Sequence, residues 1–447
     1  MTHPSPSIHS ILLPMDDPLR RTLHNEVHAR PQVRIRTPAM VLYVAVLNEE
    51  VSREQECAHL QKLPGQQLLT LEQMQGNFVR LRLEGYTVKW ERHSEFTRYS
   101  LVLPLPEPLL QGADDAELLG LLTLPPDWLR GIPGRTIAAI QLLLLHEDIG
   151  DIPASMSKAQ SWFGDTPVVA SLLGVSGHSW AVTDFVLRPS GFERILVLAP
   201  GYSNQTRPGR VSQRLLELET YRLLALRGLP VAKELGPLLL DCEAELAHIT
   251  TQLENKSVRD QQLLDTLVSL SARIERATAT HMYRFSATRA YEALVAQRIA
   301  QLHERTIAGT QPIGEFLQRR LSPAMATVAA SGQRLASLSE RVARASALLR
   351  TRVDIATELQ NQQLLAKLTR GQELQLHLQT TVEGLSIAAI SYYVVSLLLY
   401  VGKAAKAGGL HFEPEVAVGA LIPVVLWLVW STTRRIRKSL AHSPPPD

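Results

Sequence analysis

Near the C-terminus, residues 385–401 ("LSIAAISYYVVSLLLYV") and 416–430 ("VAVGALIPVVLWLVW") contain no charged side chain. Each is a little shorter than the roughly 20 residues that cross a bilayer, and the neutral flanks Gly384, Ser431 and Thr432 supply part of the missing turn. The pattern predicts a transmembrane hairpin, 385–401 and 416–432, joined by a loop over 402–415. Trp427 and Trp430 at one boundary and Tyr400 at the other fit membrane interfaces better than the core of a soluble bundle. Arg434, Arg435, Arg437 and Lys438 follow the second segment, and Lys367 and Arg370 precede the first, whereas the loop offers only Lys403 and Lys406. The positive-inside rule then puts both termini, including the basic tail 433–447, in the cytoplasm and the loop outside.

Upstream, residues 238–308 run for 71 positions without glycine or proline, which predicts one long helix or a closely broken pair. Leu246, Ile249 and Leu253, then Leu267, Leu270, Ile274 and Ala277, follow the 3,4 spacing of a helical seam. Gly309, Pro312, Gly314 and Pro323 mark a breaker region. Beyond it Leu335, Leu338, Val342, Ala345 and Leu349 resume the spacing, and the register then admits Arg352 and Gln363. With no turn signal between Gly371 and Leu385, this second run is expected to continue into the first membrane helix. "GRVSQRLLELETYRLLALRGLP" (209–230) reads as the helix joining the sheet domain to the stalk. Its spacing allows Glu217 to reach Tyr221 and Glu219 to reach Arg222.

The first 205 residues have a different texture. Short apolar or alternating runs at 40–47, 78–85, 86–93, 98–104, 136–145, 179–187 and 193–198 are bounded by Gly, Pro, Asn and Ser, which predicts a mixed sheet. Helical segments are expected at 18–27, 53–62 and 113–121. The fold class is therefore α+β: an N-terminal mixed α/β sheet domain over 1–205, a long coiled-coil-like helical stalk over 206–384, and the two-helix hairpin over 385–432.

Composition narrows function mainly by exclusion. The net charge of +3 is dispersed, so no nucleic-acid partner is expected. Cys57 and Cys242 match no metal or redox spacing and suit a reducing compartment. "GVSGH" (174–178) lacks the second glycine of a nucleophile elbow, and no GxxxxGK[ST] or strand-linked GxGxxG occurs. Neither an enzyme nor a cofactor is expected.

"LHNEVHARP" (23–31) is the densest cluster of ligand-type side chains. Leu19, Leu23 and Val27 recur every four residues, which predicts a helix over 18–28. On it His24 and His28 share a face, while Glu26 is turned about 200° away. The pair is a weak metal candidate, because no HExxH or paired CxxC supplies further ligands. A structural role is expected for His24, Asn25, His28 and Arg30. In "KWERHSEF" (89–96), alternation puts Glu91, His93 and Glu95 on one strand face. That is either a cation or proton site or, more commonly, a solvated face or a set of cross-strand ion pairs.

The phrases "LHNEVHARP" (23–31), "WERHSEF" (90–96), "TDFVLRPSGFERILV" (183–197), "GRVSQRLLELETYRLLALRGLPVA" (209–232) and "QTTVEGLSIAAISYYVVSLLLY" (379–400) together span most of the chain. They resemble the bacterial membrane-anchored proteins of domain-of-unknown-function family 3422, whose motif positions here are His24, Asn25, Glu26, His28, Arg30, Trp90, Glu91, Arg92 and His93. That resemblance implies a bacterial inner membrane and brings no activity. The order of parts, and the text "HFEPEVAVGALIPVVLWLVW" (411–430), also resemble the CorA-type magnesium channels and their zinc-transporting relatives. Their Gly-Met-Asn signature is replaced here by "YVGK" (400–403), so magnesium selectivity is not implied.

Ser386, Tyr393 and Tyr400 recur at sevens, with Ser396 beside them, and form a hydroxyl stripe that must find a protein partner or water within a bilayer. The expectation is a membrane-embedded homo-oligomer in which these residues line a path for cations, divalent ones included, and Glu413 and Glu415 ring its outer mouth. The alternative is a non-transporting scaffold or sensor whose α/β domain binds a protein partner.

Overall fold

In the computed structural model, residues 17–20, 23, 34–125, 127–201, 206–254, 260–409 and 413–440 are described. The expected helix over 18–28, with His24, Asn25, Glu26, His28 and Arg30, lies largely outside them. The chain divides into two compact units, Met1–Ala345 and Ser346–Asp447.

The first unit is organised around β1 (Ala39–Leu47), whose nine residues are all buried. Alternation along a strand sends Met40, Leu42, Val44 and Val46 to one face and Val41, Tyr43, Ala45 and Leu47 to the other. Each set lies in a separate apolar core, so both faces of the sheet must be covered. Among the described residues nine strands form one mixed sheet in the order β2-β3-β4-β1-β5-β8-β7-β6-β9. They are β2 (Phe78–Arg82), β3 (Thr87–Arg92), β4 (Phe96–Pro104), β5 (Arg135–His146), β6 (Val169–Leu173), β7 (Ser179–Thr183), β8 (Glu193–Ala199) and the short β9 (Arg305–Thr306). Only β5 and β8 pair in parallel; the other ladders are antiparallel.

One face is covered by α1 (Arg53–Leu60), α2 (Asp115–Gly120) and α3 (Ile152–Phe163). Capping boxes start α1 at Ser52 and α2 at Asp114. Leu60, Leu118, Trp162 and Phe163 from these helices pack with Trp90, Tyr99 and Leu101 of the sheet. The other face is covered by α4 (Thr206–Leu226), α6 (Asp260–Leu302) and the start of α7 (Ile313–Ala407), with α5 (Gly228–Glu254) between α4 and α6 in sequence. Leu215, Leu218, Tyr221 and Leu224 of α4, Tyr291 and Val295 of α6, and Leu317, Leu321 and Met325 of α7 share a core with Tyr43 and Ile140.

The sheet unit therefore reaches far beyond residue 205. The run expected to join sheet to stalk is instead a covering layer of the sheet, because its apolar stripe faces the strands. The glycine- and proline-free run is a broken pair, α5 and α6. The expected breaker region is narrower than its residues suggest: α7 begins at Ile313 and passes through Pro323. Flanking turns pinned by buried Leu321 and Met325 outweigh the lost backbone hydrogen bond. β6 and α3 were not foreseen. β6 is only five residues long, and the stripe of α3 is interrupted by Ser155 and Lys158.

The expected seams are buried except at Leu253, which is half-buried: Leu246 and Ile249, then Leu267, Leu270, Ile274 and Ala277, and Leu335, Leu338, Val342, Ala345 and Leu349. Arg334 of α7 forms a two-pronged pair with Glu243 of α5, at 3.0 and 2.8 Å, and Phe285 of α6 lies 3.4 Å from where a Cβ on Gly332 would sit. In the second unit α7 continues to Ala407, and α8 (Pro414–Leu440) follows.

At Gly228 a Cβ would come within 2.4 Å of Thr288 Oγ1, the hydroxyl that donates to the Ala225 carbonyl. Thr288 is β-branched and cannot swing clear, so Gly228→Ala is expected to lower stability by about 1–3 kcal/mol. Adding Thr288→Ala should restore part of the loss. Thermal melts of the two variants check both expectations.

Candidate functional site

The second unit supplies the apolar site. Its two helices each contain an 18-residue window of mean hydropathy 1.9, long and apolar enough to cross a membrane. Leu385, Tyr392, Leu397, Val416, Trp427 and Trp430 are exposed. So much contiguous apolar surface is unsuited to water. Within the hairpin, Ser391, Val418 and Val425 are buried. The helices approach closely at Gly402, where a Cβ would lie 3.2 Å from that of Pro414. Arg434 stacks over the Trp430 ring at 5.0 Å, a cationic end to an apolar span.

The hydroxyl stripe is turned outward. Tyr393 is 72% exposed and Tyr400 71%, Ser386 is exposed and Ser396 half-buried. Ser391, off the heptad stripe, is the buried hydroxyl that spacing alone missed. Of the two acidic residues at the expected outer mouth, Glu413 is bound to Lys406 at 2.9 Å. Glu415 is exposed in the first turn of α8, where a carboxylate complements the helix dipole.

The second candidate lies in the sheet unit. Glu91, His93 and Glu95 do share a side of the β3–β4 hairpin, but that side is covered by helices rather than by water. Glu91 faces Arg98 across the ladder and binds it, with Lys89 Nζ 2.8 Å away. Arg98 Nη1 continues to Glu217 of α4 at 3.1 Å, and Arg298 of α6 reaches the other oxygen of Glu217 at 2.7 Å. Glu95 pairs with Arg284, and the His93 ring stacks on Phe96 at 4.4 Å. These groups are spent on bonds between layers and do not converge. Among the described residues no three His, Cys, Asp or Glu side chains gather to hold a metal.

On the opposite side, Trp90 is fully buried and Arg92 binds Glu56 of α1 at 2.7 Å. Thr97 Oγ1 donates to Glu56 at 2.6 Å, and Asn48 donates to Thr97 at 3.0 Å. The motif thus stitches the hairpin to both helical layers. Glu56 was missed by sequence reasoning although it shares an apolar stripe with Leu60 and Leu63, all three buried. Glu219 pairs with Arg222 as its spacing predicts, whereas Glu217 turns to the two arginines rather than to Tyr221. Glu193, also missed, is pushed up to about 8 by burial and by the Glu219 carboxylate beside it.

Burial works against ionising Glu91, yet Arg98 and Lys89 outweigh it and hold the carboxyl down at about 2. His59 of α1 lies 4.5 Å from the Trp128 ring with Tyr99 edge-on. Burial, helped by the charge of Lys62, pulls it down to about 4.

The family described as "Protein of unknown function (DUF3422)" matches residues 15–440. No curated protein matches the chain.

These groups set the acid response. The unfolded chain takes up the His59 proton near pH 6.5 and the folded chain only near 4, so this stability is full above pH 6.5 and is lost as pH falls toward 4. The Glu91 contribution is present above pH 4.5 and is lost toward 2. His59→Leu is expected to remove the fall in Tm that His59 causes between pH 6.5 and 4 and to leave the Glu91 window unchanged. The Glu193 penalty, which grows as pH rises from 4.5 toward 8, then slopes the Tm-against-pH curve the opposite way there. Arg98→Met takes away the cation that two buried carboxylates share, leaving Glu91 with Lys89 alone and Glu217 with Arg298 and Gln213. It is expected to cost about 3 kcal/mol, part of which Glu91→Gln recovers in a chemical-denaturation series.

Proposed function

Because the chain belongs to that family of unknown function, we propose its role from geometry: a membrane-embedded homo-oligomer whose hairpin forms a cation path and whose sheet unit regulates it from the cytoplasm. The observation that carries this reading is α7. It is one helix of 95 residues whose first turns lie in the sheet core and whose last turns hold an uncharged apolar window. Any rearrangement of the layer against the sheet acts on an element that is continuous with the span.

The outward hydroxyl stripe supports the same reading. Tyr393 lies mid-window, and in hydrocarbon its hydroxyl requires a partner, supplied by a second copy or by a water-filled path. The order of parts resembles that of the CorA-type channels, and the proposed setting is a bacterial inner membrane with both termini cytoplasmic. Selectivity rests on other residues than their Gly-Met-Asn signature, because Tyr400, Val401 and Gly402 stand there.

The Lys406–Glu413 pair favours a second reading, a membrane-tethered sensor or scaffold that conducts nothing. A neutralised carboxylate concentrates no cations, which leaves Glu415 as the acidic group at the mouth. Cation uptake into proteoliposomes separates the two. The channel reading expects flux above empty vesicles, reduced at least fivefold by Glu415→Gln and by Tyr393→Phe/Tyr400→Phe, with native mass spectrometry giving a closed ring. Background flux, or a monomer, would leave the sensor reading.

A further inference from the structure

Between the sheet and the N-terminal half of α4 lies a cavity of about 70 Å³ that opens to solvent. Its sheet wall follows from the strand register. Arg80 of β2 is opposite Lys89 of β3, Lys89 is opposite Ser100 of β4, and Ser100 is opposite Tyr43 of β1. One residue row therefore crosses four strands and is polar throughout. The adjacent row on the same face, two residues along each strand, is Thr87, Val102 and Val41. The helical wall presents Gly209, Ser212 and Leu216, at positions i, i+3 and i+7 of one α4 face. Gly209 contributes no side chain to that wall.

The charges are unequal. Arg98 and Glu91 at the inner end neutralise each other within the ion network already described. Lys89 gives one donor to Glu91 and keeps the capacity for more. Arg80 is half-buried at the mouth, with no carboxylate partner among the described residues, and Arg34 stands exposed beside it. A pocket with surplus donors on one row, valines on the next and Leu216 on the helix wall fits an anion with a short apolar chain.

We propose that this cavity binds a small aliphatic carboxylate, its head held by Arg80 and Lys89 and its chain packed against Val41, Val102 and Leu216. Size limits the chain to a few carbons, since a longer one would leave the cavity and meet solvent. The site belongs to the sheet unit alone and stands whether or not the hairpin conducts ions. Gln213 of α4 also lines the cavity and donates to Glu217 at 2.8 Å, so occupancy bears on the network joining β4, α4 and α6.

The test is calorimetric titration of the full chain in detergent with butyrate, using n-butanol as a neutral control of similar shape. Saturable butyrate binding is expected, at least fivefold weaker in Arg80→Gln and abolished in Leu216→Trp, with n-butanol at least tenfold weaker than butyrate. Val102→Phe, at a half-buried position, fills the same space should Leu216→Trp fail to fold. No saturable butyrate binding, equal binding of the alcohol, or affinity unchanged in both Arg80→Gln and whichever filling variant folds would each overturn the proposal.

Discussion

The double burial of β1 is the constraint from which the first unit follows. A nine-residue strand with no exposed position cannot lie at an edge or beneath a single layer. It needs partners on both sides in the hydrogen-bonding direction, supplied by β4 and β5, and apolar cover above and below. Local helices α1 to α3 supply one cover. The other has to come from chain that follows the sheet, which draws α4, α6 and the first turns of α7 back across it.

That second cover is fixed by charge as well as by apolar area. Arg98 projects from the sheet into the layer between β4 and the helices, where Glu91 and Glu217 meet it and Arg298 closes the chain. Buried ion pairs give little net stability relative to an apolar core, but an unmatched partner is costly. The network therefore penalises any alternative register of α4 on the sheet. It also makes the hairpin motif a structural joint on both faces, with Glu56 and Arg92 on one side and Glu95 and Arg284 on the other. A cluster of ionisable residues within seven positions reads as a cation site or a set of cross-strand ion pairs in one dimension and becomes a fastening between layers in three.

Several features could be read from residues alone. Strands β1, β2, β3, β4, β5, β7 and β8 follow from short apolar or alternating runs, and the buried positions of the long helices follow from 3,4 spacing. The two apolar helices near the C-terminus follow from two charge-free windows. Pro323 misled because a proline signal is local, whereas the packing that carries α7 through it comes from distant strands. His59 escaped notice because nothing in an eight-residue helix says which face meets tryptophan, and Glu56 because its apolar stripe does not say that Arg92 and Thr97 lie opposite it. Arg80, Lys89 and Ser100 are far apart in sequence, and only register places them in one row.

What the sequence determined by itself was period and polarity: where helices and strands form, which positions are apolar, and that two windows near the C-terminus are suited to lipid. Those properties are local, set by neighbours within one or two turns. Tertiary structure alone decided which layer each helix joins, which carboxylate meets which arginine, and where a cavity remains. Each of these depends on pairing between segments tens to hundreds of residues apart, as between Glu91 and Arg298 through Arg98 and Glu217, and such pairing leaves no periodic trace in the chain.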